Sequence, residues 1–453
     1  MCTKKSHCLI SYPANNHNSR DYLPSIVTTV FLLLVSPMFV TAAQALAPAK
    51  QLEISSHSSV HWYKGNLHTH TLWSDGKDYP EMVVGWYKSN GYNFLALSDH
   101  NILSQGQKWT DVNDAAKEEV FRKYRERFGE NWVEQQNGDK GVKVRLKPIG
   151  EFRCLFEEPS RFLLIQAEEI TCKKPKVHIT AINLREPVQP QDANTTVEAL
   201  QNNINSVLTQ SRNTEQIILF QINHPNWHWT LTAENITQLA NARFLEIHNG
   251  HSRVYNYGDR CRAGTERMWD ILLTKRLAES HLPMIYGTAT DDAHNFHHYG
   301  TEFANPGRGW LMVRADYLTP ESIIKAMEAG DFYASTGVVL KDIQFDGKTF
   351  KILIEPQIGV SYTTQFIGTL KDYDPASRPV LDPNGTEVHT TRTYSSDIGK
   401  ILSEVNGTVA TYTATGNEIY IRAKIISTKP KNNPSLPGDV EVAWVQPVIP
   451  DSR

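Results

Sequence analysis

Beyond position 60 the chain alternates short apolar runs with stretches of helical periodicity. The runs at 92–98 (YNFLALS), 161–170, 177–183, 217–223, 243–248 and 284–290 predict short strands buried on both faces. Between them, 79–89, 196–211, 232–240, 264–280 and 320–329 predict helices. Thr319 before Pro320 supplies an N-cap and a first-turn proline, and Thr232 marks another helix start. Repeated strand–helix units imply a parallel sheet, open or closed, and a region of this length suits a closed barrel. The expected fold class is therefore α/β, with a β/α barrel over 57–338.

The rhythm breaks at an insertion, 105–160, where 115–135 predicts a highly charged helix and 138–148 a polar, basic stretch. Insertions beside a site often act as lids or specificity loops. After 338 the helical patterns vanish. Runs at 341–345, 351–356, 364–370, 408–415, 418–426 and 440–446, separated by Gly, Pro and Asn, predict a small all-β, sandwich-like domain over 339–453.

The first 45 residues have a different texture. Lys4, Lys5 and Arg20 precede an apolar run at 26–43, and Ala43-Gln44-Ala45 fits a small-residue cleavage site. This reads as a secretory signal, 1–45, cleaved after Ala45 or, as second choice, after Ala47. An uncleaved membrane anchor is the alternative, because the run nearly spans a bilayer. The expected location is exported, periplasmic or extracellular. The 453 residues carry a formal charge of −3, with 40% hydrophobic and 21% charged residues. Near-neutral charge gives no reason to expect a nucleic acid or an acidic membrane as partner, and no protein partner is predicted. Beyond Cys2 and Cys8 of the leader, Cys154, Cys172 and Cys261 are too few for a disulfide scaffold. A Cys154–Cys172 bridge and buried free thiols both remain open.

Imidazoles and carboxylates gather at the ends of the predicted strands: Gly65-Asn66-Leu67-His68-Thr69-His70 with Ser74-Asp75-Gly76, then Ser98-Asp99-His100-Asn101, Glu168-Glu169-Ile170, His178, Asn223-His224-Pro225 and Asp291-Asp292-Ala293-His294. In extended backbone His68 and His70 share a face, which makes a bidentate metal site. Each piece alone has a structural reading as a turn or a cap. Six in succession do not, since burying so many polar groups costs several kcal/mol unless they pair or bind metal. Mixed imidazole and carboxylate ligands suit Zn²⁺, Mn²⁺ or Fe²⁺, and their number predicts two or three ions. Such ions supply metal-bound hydroxide near neutral pH, which is hydrolytic equipment. A phosphate or carboxylate substrate would want nearby cations, for which Arg145, Lys147, Arg161, Arg253 and Arg308 are candidates. His248, His251, His297 and His298 are candidate proton donors to a leaving group. Cys172, close to Glu169, is read as packing.

The ordered motifs GNLHTH…SDG, FLALSDHN, AEEIT, a lone His178, NHP and TDDAH resemble the polymerase and histidinol phosphatase (PHP) superfamily over roughly 61–336. FLEIHNGH (244–251), GRGWLMVRADYLTP (307–320) and DFYASTG (331–337) resemble the branch that includes carbamate hydrolases. The resemblance implies a distorted seven-stranded β/α (TIM-like) barrel with up to three ions. It implies His68, His70, Glu169 and Asp292 around the first ion, Glu169, His178 and His224 around the second, and Asp75, His100 and His294 around the third. Glu169 is preferred over Glu168 because it directly precedes Ile170-Thr171. Asp292, Glu169, His294 and His251 are the residues expected to serve catalysis, with Arg145, Arg253 and Arg308 expected to contact substrate.

The leading expectation is a phosphoesterase acting on a small-molecule ester. A carboxylic or carbamic ester hydrolase on the same site is the second, and an exported non-catalytic metal-containing binding module the third. The signal reading predicts a mature chain beginning at Leu46, checked by N-terminal sequencing of the exported protein; intact Met1 in the membrane fraction would support the anchor instead.

Overall fold

Apolar side chains on both faces force most of the predicted strands into the middle of one sheet. The computed structural model describes residues 61–139 and 141–451. The expected signal segment and the alternative anchor lie outside the described residues. Among the described residues, no helix is long and apolar enough to cross a membrane. The chain is a mixed α/β structure whose large sheet has thirteen strands. From one edge these are Tyr286–Thr290, Phe244–Asn249, Leu219–Ile222, His178–Ile182, Leu163–Thr171, Phe94–Leu97 and His61–Asn66, followed by Trp310–Ala315 and Phe332–Ser335. The sheet continues through Val440–Val448, Glu418–Pro430, Tyr362–Leu370 and Lys400–Asn406.

Two departures from a parallel barrel matter. First, His178–Ile182 runs antiparallel to both neighbours. Only 172–177 separates it from Leu163–Thr171, and a parallel crossover needs a dozen or more residues. The reversal puts His178, which opens its strand, at the same sheet edge as residues that close theirs. Second, the expected closed seven-stranded barrel does not form. The free edge of His61–Asn66 is taken by Trp310–Ala315 in antiparallel register, Gly65 opposite Leu311. Tyr286–Thr290 therefore cannot pair there. The chain meets it only beyond the strand, where Asp292 N donates to His68 O (2.9 Å) and His70 N to Ala293 O (3.0 Å). Trp310–Ala315 and Phe332–Ser335 were not among the expected strands.

Helix Thr196–Thr214 opens with a capping box, Thr195 to Glu198, and buries Ala199, Leu200, Ile204 and Val207. They share one core with Ile179, Ala181, Phe220 and Ile222 of the sheet. The expected helix 264–280 is α-helical over Thr265–Thr274 and finishes as a π turn, Lys275–Glu279.

The insertion is more ordered than its polarity suggests. Its helix is shorter than expected, Ala115–Phe128, capped by Asp114 and stopped at Gly129, whose φ of 82° suits glycine. Most of the stretch read only as polar and basic belongs to a hairpin, Gln135–Gly138 with Gly141–Leu146, which Lys108–Val112 joins as a third strand. Phe121 and Tyr124 of the helix, with Val112, Val144 and Leu146, pack on Trp73 and Tyr79. Thus the insertion is fastened to the loop that follows His70.

The expected boundary at 338/339 lies between adjoining strands, and the large sheet runs across it. A three-stranded sheet, Leu340–Phe345, Thr349–Ile354 and Val409–Thr413, shares a second core with the large sheet through Phe350, Ile352, Phe366, Ala423 and Val445. That arrangement is sandwich-like. A buried ion pair ties it to helix Thr265–Thr274. Arg422 is bidentate to Asp270, Nε to Oδ1 and Nη2 to Oδ2, both at 2.7 Å, and Tyr420 donates to the same carboxylate at 2.8 Å. Both charged groups are almost fully buried, so removing Arg422 leaves the Asp270 carboxylate with the Tyr420 hydroxyl but without its cation. Arg422→Ala is expected to destabilise the fold by about 3–5 kcal/mol, measured by urea unfolding. Arg422→Met with Asp270→Leu should recover much of that loss.

Candidate metal centre

The sheet delivers its polar residues to one edge. His68 and His70 follow His61–Asn66, His100 follows Phe94–Leu97, His224 follows Leu219–Ile222, and Asp292 and His294 follow Tyr286–Thr290. Glu169 lies within Leu163–Thr171, where side chains alternate between faces. Glu168 therefore points away and accepts Val188 N at 2.8 Å. Asp75 sits on a turn that only Gly76 permits, since a Cβ at Gly76 would meet the His70 carbonyl at 2.5 Å. Asp99 is not a ligand. It braces this loop by accepting Thr71 N, Thr71 Oγ1 and Ser74 Oγ at 2.8, 2.8 and 2.6 Å.

Local bonds aim the imidazoles inward. His68 turns Nδ1 to Glu246 (2.7 Å), His70 turns Nδ1 to Ser74 (3.4 Å), and His294 gives Nδ1–H to the Asp292 carbonyl (2.9 Å). Each is left with Nε2 for a further ligand. His224 and Asp292 hold left-handed backbone, φ 22° and 48°. Non-glycine residues adopt such conformations where the surroundings impose them, often at functional sites.

Four groups of ligand atoms result, each mutually within 4.8 Å: His70, Asp75, His100 and His294; His68, His70 and Asp292; His68, Glu169 and His224; and His100, Glu169 and His178. All nine residues expected as ligands are thus brought together. Glu169 is the hub, with Oε1 at 3.3 Å from His68, 3.0 Å from His178 and 3.1 Å from His224, and Oε2 at 2.8 Å from His100. His100 was expected beside Asp75 and His294 alone. The structure offers it to Glu169 as well, at 2.8 Å against 3.7 Å from Asp75.

Charge follows the same pattern. Burial pushes the Glu169 carboxyl up, but His100, His178 and His68 outweigh it and hold the group well below the usual range. Burial, with repulsion from His294 and His100, pushes His70 down to about 3.

The donor set fits divalent cations. His68 Nε2, His70 Nε2 and Glu169 Oε2 are buried without a hydrogen-bond partner. His68 Nε2 lies 3.4 Å and His70 Nε2 3.1 Å from Asp292 Oδ1, and His70 Nε2 is 3.6 Å from Glu169 Oε2. Two ligand atoms about 2.1 Å from one ion stand roughly 3.0 Å apart at a right angle and roughly 3.4 Å apart at the tetrahedral angle. The orphaned atoms have the spacing of a coordination shell.

Several expected residues lie elsewhere. Arg145 is engaged by Glu134 and Glu151, both at 2.6 Å, within the insertion, and Lys147 pairs with the same two acids. Arg308 is buried and donates to the carbonyls of Gly250, Phe303 and Gly300, so it pins loops rather than meeting substrate. Arg161 is 82% exposed beside Glu158. Of the three arginines expected to contact substrate, Arg253 alone remains close, exposed and joined through its backbone N to His251 Nδ1 (3.0 Å). His251 stands beside His294, ring centroids 5.3 Å apart. His248 is buried and stacks on Trp444, and His297 pairs with Asp78 at 3.1 Å. His298 is exposed. Cys154 and Cys261 are exposed free thiols, and Cys172 is a free thiol buried against Asn203, so of the two open readings the Cys154–Cys172 bridge is not formed.

Sequence reasoning missed Glu246 and Asn223. Glu246 is fully buried and accepts from His68, Gln221, Thr290, Asn249 and the His224 backbone. Asn223 donates to Glu169 Oε1 at 2.7 Å. The available signal was a carboxylate set among the apolar residues Phe244, Leu245 and Ile247 of a predicted buried strand.

Hydrogen-bonded imidazoles around shared carboxylates form a cluster that could hold divalent metal ions. No family model and no curated protein matches the chain. Among solved structures it is similar to a two-domain protein from Bacteroides vulgatus containing a predicted PHP-like metal-dependent phosphoesterase, at 13% identity and TM-score 0.35, over 86% of this chain and 96% of that one. It is also similar to a putative metal-dependent phosphoesterase from Bifidobacterium adolescentis, at 13% identity and TM-score 0.26, over 51% of this chain and 87% of that one.

Glu246 fixes the tautomer and direction of His68, and partners of this kind are worth roughly 10–100-fold in metal affinity. Glu246→Gln should lower affinity by that factor in a chelator-competition titration while circular dichroism stays native.

Proposed function

We propose that the chain is an exported, metal-dependent hydrolase of the PHP superfamily that cleaves phosphate esters. The observation that carries this is Glu169: one buried carboxylate shared by imidazoles from separate segments, with unpartnered ligand atoms beside it. The order of motifs along the chain supports the superfamily.

Asp75, Asp292 and Glu169 with their histidines would hold the ions. Divalent ions there lower the pKa of a coordinated water towards about 7 and offset charge developing on the ester. The chain's own residues supply the rest. His251 accepts Arg253 N at Nδ1, which places its hydrogen on Nε2. Burial, with repulsion from His294 and His224 that outweighs attraction to Asp292, lowers its pKa to about 4, so the ring is neutral at pH 7. It is a hydrogen-bond donor to the ester or its leaving oxygen, and Arg253 is the cation placed to orient a phosphate oxygen.

One observation favours the second reading, a carboxylic or carbamic ester. Arg145 and Arg308 are committed to other partners, which leaves the site few free cations for a doubly charged group.

Metal-loaded protein is expected to hydrolyse phosphomonoesters, and Asp292→Asn to lower kcat/KM by more than about a hundredfold, beyond the loss of a supporting partner. Activity on aryl acetates or carbamates with none on phosphomonoesters or diesters would establish the second reading. Undiminished function in Asp292→Asn would leave the non-catalytic binding module.

A further inference from the structure

The insertion helix Ala115–Phe128 has two occupied faces. Phe121 and Tyr124 are buried against Trp73, Tyr79, Val112, Val144 and Leu146, and Tyr124 stacks on Tyr79 at 4.0 Å with the rings 9° from parallel. The other face, with Ala115, Ala116 and Val120, lines a cavity of about 840 Å³. The facing wall comes from the loop after His70, including Leu72 and Tyr79. Ser74 and Asp75 also line the cavity. The Asp75 carboxylate also belongs to the group formed with His70, His100 and His294. The cavity and the metal centre thus share the Asp75 side chain.

We propose that this cavity seats the alcohol half of the ester, and that this half is a bulky, largely apolar group. The inference rests on the hydrolase reading of the metal centre. Size is the first argument: 840 Å³ lies within the roughly 300–1,000 Å³ of sites that enclose drug-sized ligands, far beyond what a phosphate needs. Chemistry is the second. Leu72, Tyr79, Val112 and Val120 offer no charge, and much of the remaining wall is already paired. Lys123 meets His297 Nδ1 at 3.5 Å, His297 Nε2 meets Asp78 at 3.1 Å, and Lys117 donates to Asn113 at 3.0 Å. The anionic end is attracted towards the ions and the exposed Lys77 beside Asp75, while the far end meets apolar surface. Rigidity is the third. Asp114 caps the helix, and its buried face is locked by the Tyr79–Tyr124 stack, so the wall exists before substrate arrives.

The test uses the full chain loaded with Mn²⁺ and two substrates whose leaving groups differ in size but little in acidity, phenyl phosphate and 4-tert-butylphenyl phosphate. An apolar pocket that fits the larger group should favour it by about tenfold or more in kcat/KM. Ala116→Trp, a substitution at an exposed helix position that projects into the cavity, should collapse that ratio. Glu118→Trp, on the same helix but outside the lining, should leave it unchanged. A ratio near one in the unmodified chain, or one that survives Ala116→Trp, overturns the proposal while leaving the phosphoesterase reading intact. Binding of 4-tert-butylphenol itself, followed by calorimetry, separates the two ideas. If no phosphate ester is hydrolysed but the phenol binds the unmodified chain and not Ala116→Trp, the cavity assignment stands and the phosphoesterase reading fails. If the phenol does not bind at all, the cavity assignment fails whatever the turnover.

Discussion

Glu169 is a carboxylate with essentially no exposure, approached by four imidazoles within 3.3 Å. An ion buried without partners costs several kcal/mol even after relaxation, and so does each polar nitrogen left unmatched. Histidines and the carboxylate offset part of each other's cost, but three buried ligand atoms still lack partners. Divalent cations would complete that arrangement. The fold around it is largely an apparatus for holding this polar cluster inside an apolar protein.

That constraint explains features that otherwise look like irregularities. The antiparallel strand His178–Ile182 brings a strand-opening histidine to the edge where its neighbours end. Asp292 and His224 adopt left-handed backbone, and both are tied down: Asp292 N bonds to the His68 carbonyl, and His224 N to Glu246. Glu246 joins His68 and His224 to the Asn249 loop through a single carboxylate, so three segments share one orientation. Arg308, read from sequence as a substrate contact, serves the same purpose from outside by gathering three loop carbonyls.

The two additions to the metal-bearing sheet act differently. Trp310–Ala315 occupies the edge that would close a barrel and carries the sheet into the C-terminal sandwich. The Arg422–Asp270 pair then braces that region against helix Thr265–Thr274. The insertion fastens its aromatic face to Trp73 and Tyr79, next to the turn bearing Asp75, and turns its small residues towards the cavity. Small side chains on that face keep the space open.

How much was legible in advance depended on the kind of information involved. Strand and helix segments were readable because burial on both faces leaves uninterrupted apolar runs, as at Phe94–Leu97 and His178–Ile182. The strands Lys108–Val112 and Gln135–Gly138 were not, because they are short, partly exposed and polar, and their pairing is set by distant partners. The roles of Arg145 and Arg308 depended on neighbours that adjacency in the chain does not reveal.

By itself, then, the amino-acid order determined which residues can bind metal, because imidazole and carboxylate chemistry is a property of the side chain. It also determined that they stand near strand ends, because hydrophobic periodicity marks those ends. Only the tertiary structure decided that the sheet stays open, that Glu246 and Asn223 support the centre, that His100 reaches Glu169, and that a cavity adjoins Asp75. Each of these depends on which distant segments come within a few ångströms of one another, and edge pairing and packing settle that through interactions no local pattern encodes.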